Sequence, residues 1–507
     1  MKKVTVLFTV VLIIMFTACN TGKTNDNDSE TVADTENDTD TADAEIDEIN
    51  DDEYETGEEL PDVTDEDISE PEQLQTGGIV IYDQYSSVHT ILGQGGFFGY
   101  SIFRFNEEYW GVSALHESIP PYDFEKATGV LYVFQGIQKI IEWWELDQAQ
   151  RLTHPDLTLN AGFAFTAAGT CDINKDGFDD IVVSAHLASY GADYAAGELV
   201  VFYGAETDNG KPTPWSVDNS SISRVSDALI QKADSMSQSL VCGDIDGDGF
   251  DDVLAGGQNA GIQLPDGGST GMVAFFRGSA DGLEENEYWV LTPQVEKSAQ
   301  YFGSSMILED VNGDSEKDLI VAGWGLKESE EADNTGGIYI YHGGTDWQKG
   351  PSETLFGTEN SQFGSVIKLV KVQGETLLGV IAPDEGKNGT IHFYDPFSMT
   401  EKFTVTVPVS LEMGSNVGFS DFDTISKVDN TGTTLVAGGK YFKDGGRILC
   451  AAITPESVEE LVECPWQPET TTGGFGFSVK NVGNIDADGP VEDLIVGMPE
   501  YIHTVTE

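Results

Sequence analysis

The sequence predicts an all-β, turn-rich protein built from internally repeated units, and three observations carry that prediction. The segment Asp172-Ile-Asn-Lys-Asp-Gly-Phe-Asp-Asp180 recurs over Asp244–Asp252 and again over Asp310–Asp318. Each copy runs into a short apolar stretch, Ile181-Val-Val, Val253-Leu-Ala and Leu319-Ile-Val, whose length and β-branching favour buried strands over amphipathic helices. The chain also has 57 glycines among its 507 residues and 39% hydrophobic content, enough for a large core interrupted by many turns.

The recurring loop is the first chemical signal. Oxygen side chains at positions 1, 3, 5 and 9, with glycine at position 6 for a sharp turn, suit a hard cation with many oxygen ligands, so calcium is the expected ion. The expected donors are Asp172, Asn174, Asp176, the Phe178 carbonyl and Asp180 in the first loop. Asp244, Asp246, Asp248, the Phe250 carbonyl and Asp252 form the second set, and Asp310, Asn312, Asp314, the Glu316 carbonyl and Asp318 the third. Helix-flanked loops of this type close their cage with a carboxylate at position 12; here that position holds Val183, Ala255 and Val321, which makes each loop a strand-to-strand turn. A fourth candidate, Asn484-Ile-Asp486-Ala-Asp488-Gly489, has one extra residue, so Asp493 rather than Glu492 falls at the closing place. About four structural calcium ions are expected, with the four-carboxylate Asp244 loop the tightest.

The loops belong to a repeat of about sixty residues. Unit starts fall at Phe98-Gly99, Phe163-Ala164, Met236-Ser237, Phe302-Gly303, Phe363-Gly364, Val417-Gly418 and Phe475-Gly476, seven in all. Second strands end in Ala255-Gly-Gly, Ala322-Gly323, Ile381-Ala-Pro383 and Val496-Gly-Met-Pro499, and third strands read Gly197-Glu-Leu-Val-Val-Phe202, Gly271-Met-Val-Ala-Phe-Phe276 and Gly337-Ile-Tyr-Ile-Tyr341. Together these motifs resemble the FG-GAP repeat of the integrin α-chain β-propeller, from Gly77 to about Pro499. The resemblance implies a seven-bladed propeller whose partners meet the face opposite the calcium loops. The connections between second and third strands, which would lie on that face, are long in the first four units: Glu117 to Thr128, His186 to Ala196, Gln258 to Ser269 and Trp324 to Asn334. Tyr190, Tyr194, Leu264 and Trp324 are the candidate anchors there for a protein or glycan ligand. The chain opens at Gly77 with a third and fourth strand and closes near Glu500 after a first and second, so the last blade is expected to be shared between the termini, which removes free sheet edges.

Ahead of the repeats, Lys2 and Lys3 precede a thirteen-residue apolar run from Val4 to Phe16, then Thr17-Ala18-Cys19. The run is short for a bilayer span and reads as a secretion signal over residues 1–18. Its ending resembles the bacterial lipobox, although Phe16 stands where leucine is usual, and that likeness implies lipidation of Cys19 in the cell envelope, at the outer membrane or cell surface. Residues 19–75 read as a disordered acidic tether: from Asn20 to Gln75 there are 23 acidic residues against Lys23 alone. As an ideal coil this stretch spans about 40 Å, and charge repulsion extends it further. The folded domain is expected over 76–507 and retains 65 acidic against 22 basic residues, which argues against nucleic acid and leaves the lipid anchor as its membrane contact. A monomer is expected.

Cys450 and Cys464 fall on predicted third and fourth strands of one hairpin and form the candidate disulfide, whereas Cys171 and Cys242, offset by one residue on neighbouring inner strands, are expected to be buried thiols. Trp143, Trp144, Trp215, Trp289, Trp347 and Trp466 recur after the third strands and are read as inter-blade packing. No GxSxG, HExxH or phosphate-cradling loop occurs, so a non-catalytic binding or adhesion module is expected. The alternatives are a carbohydrate-active enzyme on the same scaffold and a scaffold subunit of an envelope complex.

Overall fold

A computed structural model describes residues 97–499, apart from 107, 116–127, 136–148, 157–160, 190–195, 207–213, 226–234, 262–263, 265–267, 288, 333–334, 412–417, 427–431, 440–444, 466–473 and 484–491, together with the strands Gln73–Gln75, Gly78–Tyr82, Val88–Leu92 and Ile502–Thr504. The protein is an all-β propeller. Six blades are each cut from one continuous stretch, the first running from inner strand Phe98–Arg104 to outer strand Gln150–Leu152 and the sixth beginning at Asp421–Ser426. Within each blade consecutive strands pair antiparallel, as in Ser239–Gly243, Asp252–Gly257, Met272–Phe276 and Trp289–Leu291.

In place of a seventh continuous repeat there is a composite four-stranded sheet. Val479–Gly483 pairs with Asp493–Gly497, which pairs in turn with Gly78–Tyr82 and then Val88–Leu92; Ile79 lies opposite Gly497 and Tyr82 opposite Leu494. The chain then adds a pairing that the repeat pattern does not announce, Gln73–Gln75 against Ile502–Thr504. The compact unit accordingly starts at Ser69, ahead of the expected boundary at 76, and three residues assigned to the tether are strand. The first strands touch in succession, from Phe98–Arg104 through Phe163–Cys171, Ser239–Gly243, Ser305–Glu309, Ile367–Val372, Asp421–Ser426 and Val479–Gly483 back to Phe98–Arg104.

Second strands are apolar without alternation because blades stack face against face. Asp180–Ala185, Asp252–Gly257 and Asp318–Gly323 are buried at every residue, as are the third strands Glu198–Phe202, Met272–Phe276 and Gly337–Tyr341. Side chains from facing blades form each core layer; Leu254, Val273 and Phe275 of the third blade pack with Leu319, Val321 and Tyr339 of the fourth. Tryptophans fill the same seams. Trp215 lies edge-on to Phe105 and Tyr109 of the preceding blade, and Trp289 stacks on Phe275 at 4.5 Å beside Trp347. Trp143, Trp144 and Trp466 lie outside the described residues.

The glycine before each third strand is where one blade meets the next. Gly336, at φ +72°, bridges to Phe363, and a Cβ there would strike the backbone of Phe363; Gly446, at φ +90°, has the same relation to Phe475. The equivalent Gly389 faces the Phe419 N–H, so the sixth repeat starts at Phe419 and not at Val417-Gly418. Among the described residues no helix is long and apolar enough to cross a membrane.

Candidate functional site

The three acidic loops join first to second strands and therefore sit at one end of their blades. Their side chains build the same hydrogen-bond cage. The first aspartate turns one oxygen to the N–H at position 6: Asp172 accepts from Gly177 at 3.0 Å, Asp244 from Gly249 at 3.0 Å and Asp310 from Ser315 at 2.9 Å. The residue at position 3 accepts the N–H at position 5, through Asn174 at 3.1 Å, Asp246 at 3.1 Å and Asn312 at 2.9 Å. The residue at position 5 accepts from position 7, through Asp176 to Phe178, Asp248 to Phe250 and Asp314 to Glu316. Position 6 is left-handed in all three, including Ser315 at φ +76°, where the other loops use Gly177 and Gly249.

The ninth aspartate fastens each loop to its blade. Asp180 accepts the Ile173 N–H at 2.9 Å and the Gly204 N–H at 2.8 Å; Asp252 accepts from Ile245 and Gly278, each at 2.9 Å, and Asp318 from Val311 at 3.0 Å and Gly343 at 2.8 Å. All three are fully buried. Burial pushes the Asp180 carboxyl up to about 7 and Asp252 up to about 6; the backbone N–H bonds pull the other way, and neighbouring loop carboxylates add to the rise.

In the second loop, oxygens of Asp244, Asp246 and Asp252 lie within 4.8 Å of one another. That spacing suits one hard cation, since calcium–oxygen distances of about 2.4 Å put opposite ligands about 4.8 Å apart. A cation of the protein's own already stands there: Arg277 Nη2 is 2.7 Å from Asp246 Oδ2 and 3.2 Å from Asp248 Oδ2. Asn484, Asp486 and Asp488 lie outside the described residues, and of Asp493 only the strand position is described.

Position 8 has a role that the motif alone does not reveal, because it joins blades. Asp179 Oδ2 accepts from Asn106 Nδ2 of the first blade at 3.0 Å, and Asp251 Oδ2 accepts the Asp172 N–H at 2.8 Å. Glu492 reaches back in the same manner, accepting the Ser426 N–H at 2.8 Å. Cys171 and Cys242, expected as separate thiols, are joined in a disulfide with Cα atoms 6.0 Å apart. The one-residue offset persists, with Cys171 opposite Asp180 and Cys242 opposite Val253, and the facing inner strands still bring the two Cα atoms within disulfide reach. Cys450 and Cys464 are also joined, with Cα atoms 5.1 Å apart.

At the opposite end, Trp324 stacks on Tyr301 at 3.5 Å and donates from Nε1 to Gln258 Oε1 at 3.1 Å, linking the fourth blade to the third. Leu264 and Trp324 are both half-buried; Tyr190 and Tyr194 lie outside the described residues.

Residues 163–202 match the FG-GAP repeat, so the chain carries that repeat within its propeller. The phosphatidylinositol-glycan-specific phospholipase D of Bos taurus is 24% identical over 438 residues, covering 74% of this chain and 48% of the relative. The Homo sapiens protein of the same name is 26% identical over 396 residues, covering 68% and 44%. The chain thus spans about half the length of these curated relatives. Among solved structures, the Dos1 propeller has a TM-score of 0.43 at 10% identity, covering 85% of this chain and 95% of its own. A putative 6-phosphogluconolactonase from Bacteroides uniformis has a TM-score of 0.40 at 11% identity, covering 81% and 87%.

Proposed function

We propose that this chain is a calcium-stabilised, non-catalytic binding propeller, tethered outside the cytoplasm by a lipid on Cys19 and held off the membrane by its acidic N-terminal segment. The composite sheet acts as its seventh blade, so the two ends of the domain close the ring. The donor set of the loops fits calcium: it is all oxygen, and a guanidinium stands in for a cation at the second loop. Asp172, Asn174, Asp176 and Asp180, their counterparts in the second and third loops, and Asn484, Asp486, Asp488 and Asp493 in the fourth would hold the ions. A bound divalent ion supplies the positive charge that the crowded carboxylates lack. The role is structural, since each loop is also the fastening between two strands.

The observation that carries the reading is the polarity of the blades. Near-identical acidic loops occupy one end, while the other end bears long connections of unrelated sequence, including the Trp324–Tyr301 stack. A rigid ring with a varied face at one end is suited to gripping a protein or glycan. The full chain is tested beside a Tyr190→Ala/Trp324→Ala variant in affinity capture from envelope and matrix fractions. Loss of captured partners with the variant supports the face, and equal recovery contradicts it. A catalytic reading draws on the phospholipase D name of the relatives. Release of a phosphatidylinositol-glycan-anchored protein by the purified chain would favour that reading.

A further inference from the structure

The residue between the end of the third strand and the glycine that donates to the ninth aspartate occupies one register position in three successive blades. It is Tyr203 before Gly204, Arg277 before Gly278 and His342 before Gly343. Of the three, Arg277 alone carries a permanent charge, and it belongs to the loop that has a carboxylate at position 3, where the other two have Asn174 and Asn312. The extra negative charge and the extra positive charge therefore arrive together. Tyr203 instead uses its hydroxyl on Ser221 at 2.8 Å, and His342 Nδ1 lies 3.3 Å from the fastening carboxylate Asp318.

The contacts of Arg277 define what it does. Its Nη2 meets Oδ2 of both Asp246 and Asp248, while Oδ1 of each accepts a loop N–H, from Asp248 and Phe250 respectively. With one oxygen committed to the loop backbone, the oxygen that each carboxylate can offer a metal is the one now facing the guanidinium. We infer that Arg277 is the built-in counter-ion of the second loop, competing with calcium for Asp246 and Asp248. The loop richest in carboxylates is then the weakest of the three calcium sites rather than the tightest, and it stays ordered when calcium is scarce. This inference rests on the calcium reading of the loops.

The test is a direct calcium titration of the full chain and of Arg277→Gln, Arg277→Lys and Arg277→Gln/Asp244→Asn variants, with thermal unfolding in chelator and in millimolar calcium. Two half-exposed ion pairs are modest in strength, so Arg277→Gln should tighten one calcium site by about fivefold to tenfold. Arg277→Lys should fall between it and the parent. Adding Asp244→Asn should abolish the gained affinity, assigning it to this loop. In chelator Arg277→Gln should melt below the parent, and the difference should close in calcium; a residue that merely packs would lower both transitions. Parent binding with an isotherm unchanged or weakened by Arg277→Gln overturns the inference alone. A parent chain that binds no calcium overturns the reading on which it rests.

Discussion

Cys171 is bonded to Cys242, so a covalent bridge joins the inner strands of two neighbouring blades one residue before Asp172 and two before Asp244. The bridge and the adjoining Asp172 N–H to Asp251 bond hold the first two acidic loops at a fixed separation. The two disulfides enclose very different loops, with sequence separations of 71 and 14. On the chain-entropy account, Cys171→Ser/Cys242→Ser should cost about 4 kcal/mol and Cys450→Ser/Cys464→Ser about 3 kcal/mol in denaturant unfolding. Equal and negligible losses would show that neither bridge restrains the unfolded chain.

Gly336→Ala tests the joint between blades. At φ +72° a side chain is strained, and its Cβ meets the Phe363 backbone, which cannot swing aside. The two penalties together should destabilise by about 3 kcal/mol or more. A loss below about 1 kcal/mol would mean that the blades slide apart at little cost.

Much of this was legible from residues alone, and all but one of the exceptions share a cause. The strands after Asp180, Asp252 and Asp318 are pure apolar runs, so their burial on both faces was readable. The terminal pairing of Gly78–Tyr82 with Asp493–Gly497 followed from counting strands at the two ends. What sequence spacing does not encode is contact across the seam between blades. The Cys171 bond depends on how two inner strands face each other, and the role of Asp179, Asp251 and Glu492 on which loop lies next door; Arg277 differs, because the fold-back of a third strand brings it to its own blade's loop. A basic residue immediately before the glycine that follows a third strand is the signal that could have found Arg277.

Glu198 gives the pH dependence. It is buried with His154 Nε2 at 2.9 Å and Arg224 Nε at 2.6 Å. Burial opposes its charge, but hydrogen bonds from His154 and Arg224 outweigh that and hold the carboxyl below its ordinary value. A depressed folded pKa contributes stability above the unfolded value that is lost as pH falls through the folded one. Glu198→Gln should therefore lower stability by about 1.5–3 kcal/mol at neutral pH, with the gap narrowing on acidification below about pH 4. Thermal melts at pH 7 and pH 3.5 check this; a gap that widens in acid would reverse the assignment.

Ser315 replaces glycine in a left-handed position at φ +76°. Ser315→Gly should relieve about 1 kcal/mol of backbone strain, partly offset by glycine's greater freedom when unfolded. A small rise in melting temperature in chelator is expected, and a fall would mean that the serine side chain contributes more than its backbone costs.

The most direct test of the account is thermal unfolding of the full chain in chelator and in calcium at tenfold excess over the dissociation constant of its weakest site, beside an Asp172→Asn/Asp244→Asn/Asp310→Asn variant. Binding at that excess stabilises by about 1.4 kcal/mol per site, so four sites should raise the parent's melting temperature by about 5 °C. The triple variant should keep only the small part owed to the fourth loop. A parent transition that is the same in calcium and in chelator would contradict the claim that these loops hold the propeller together through bound calcium.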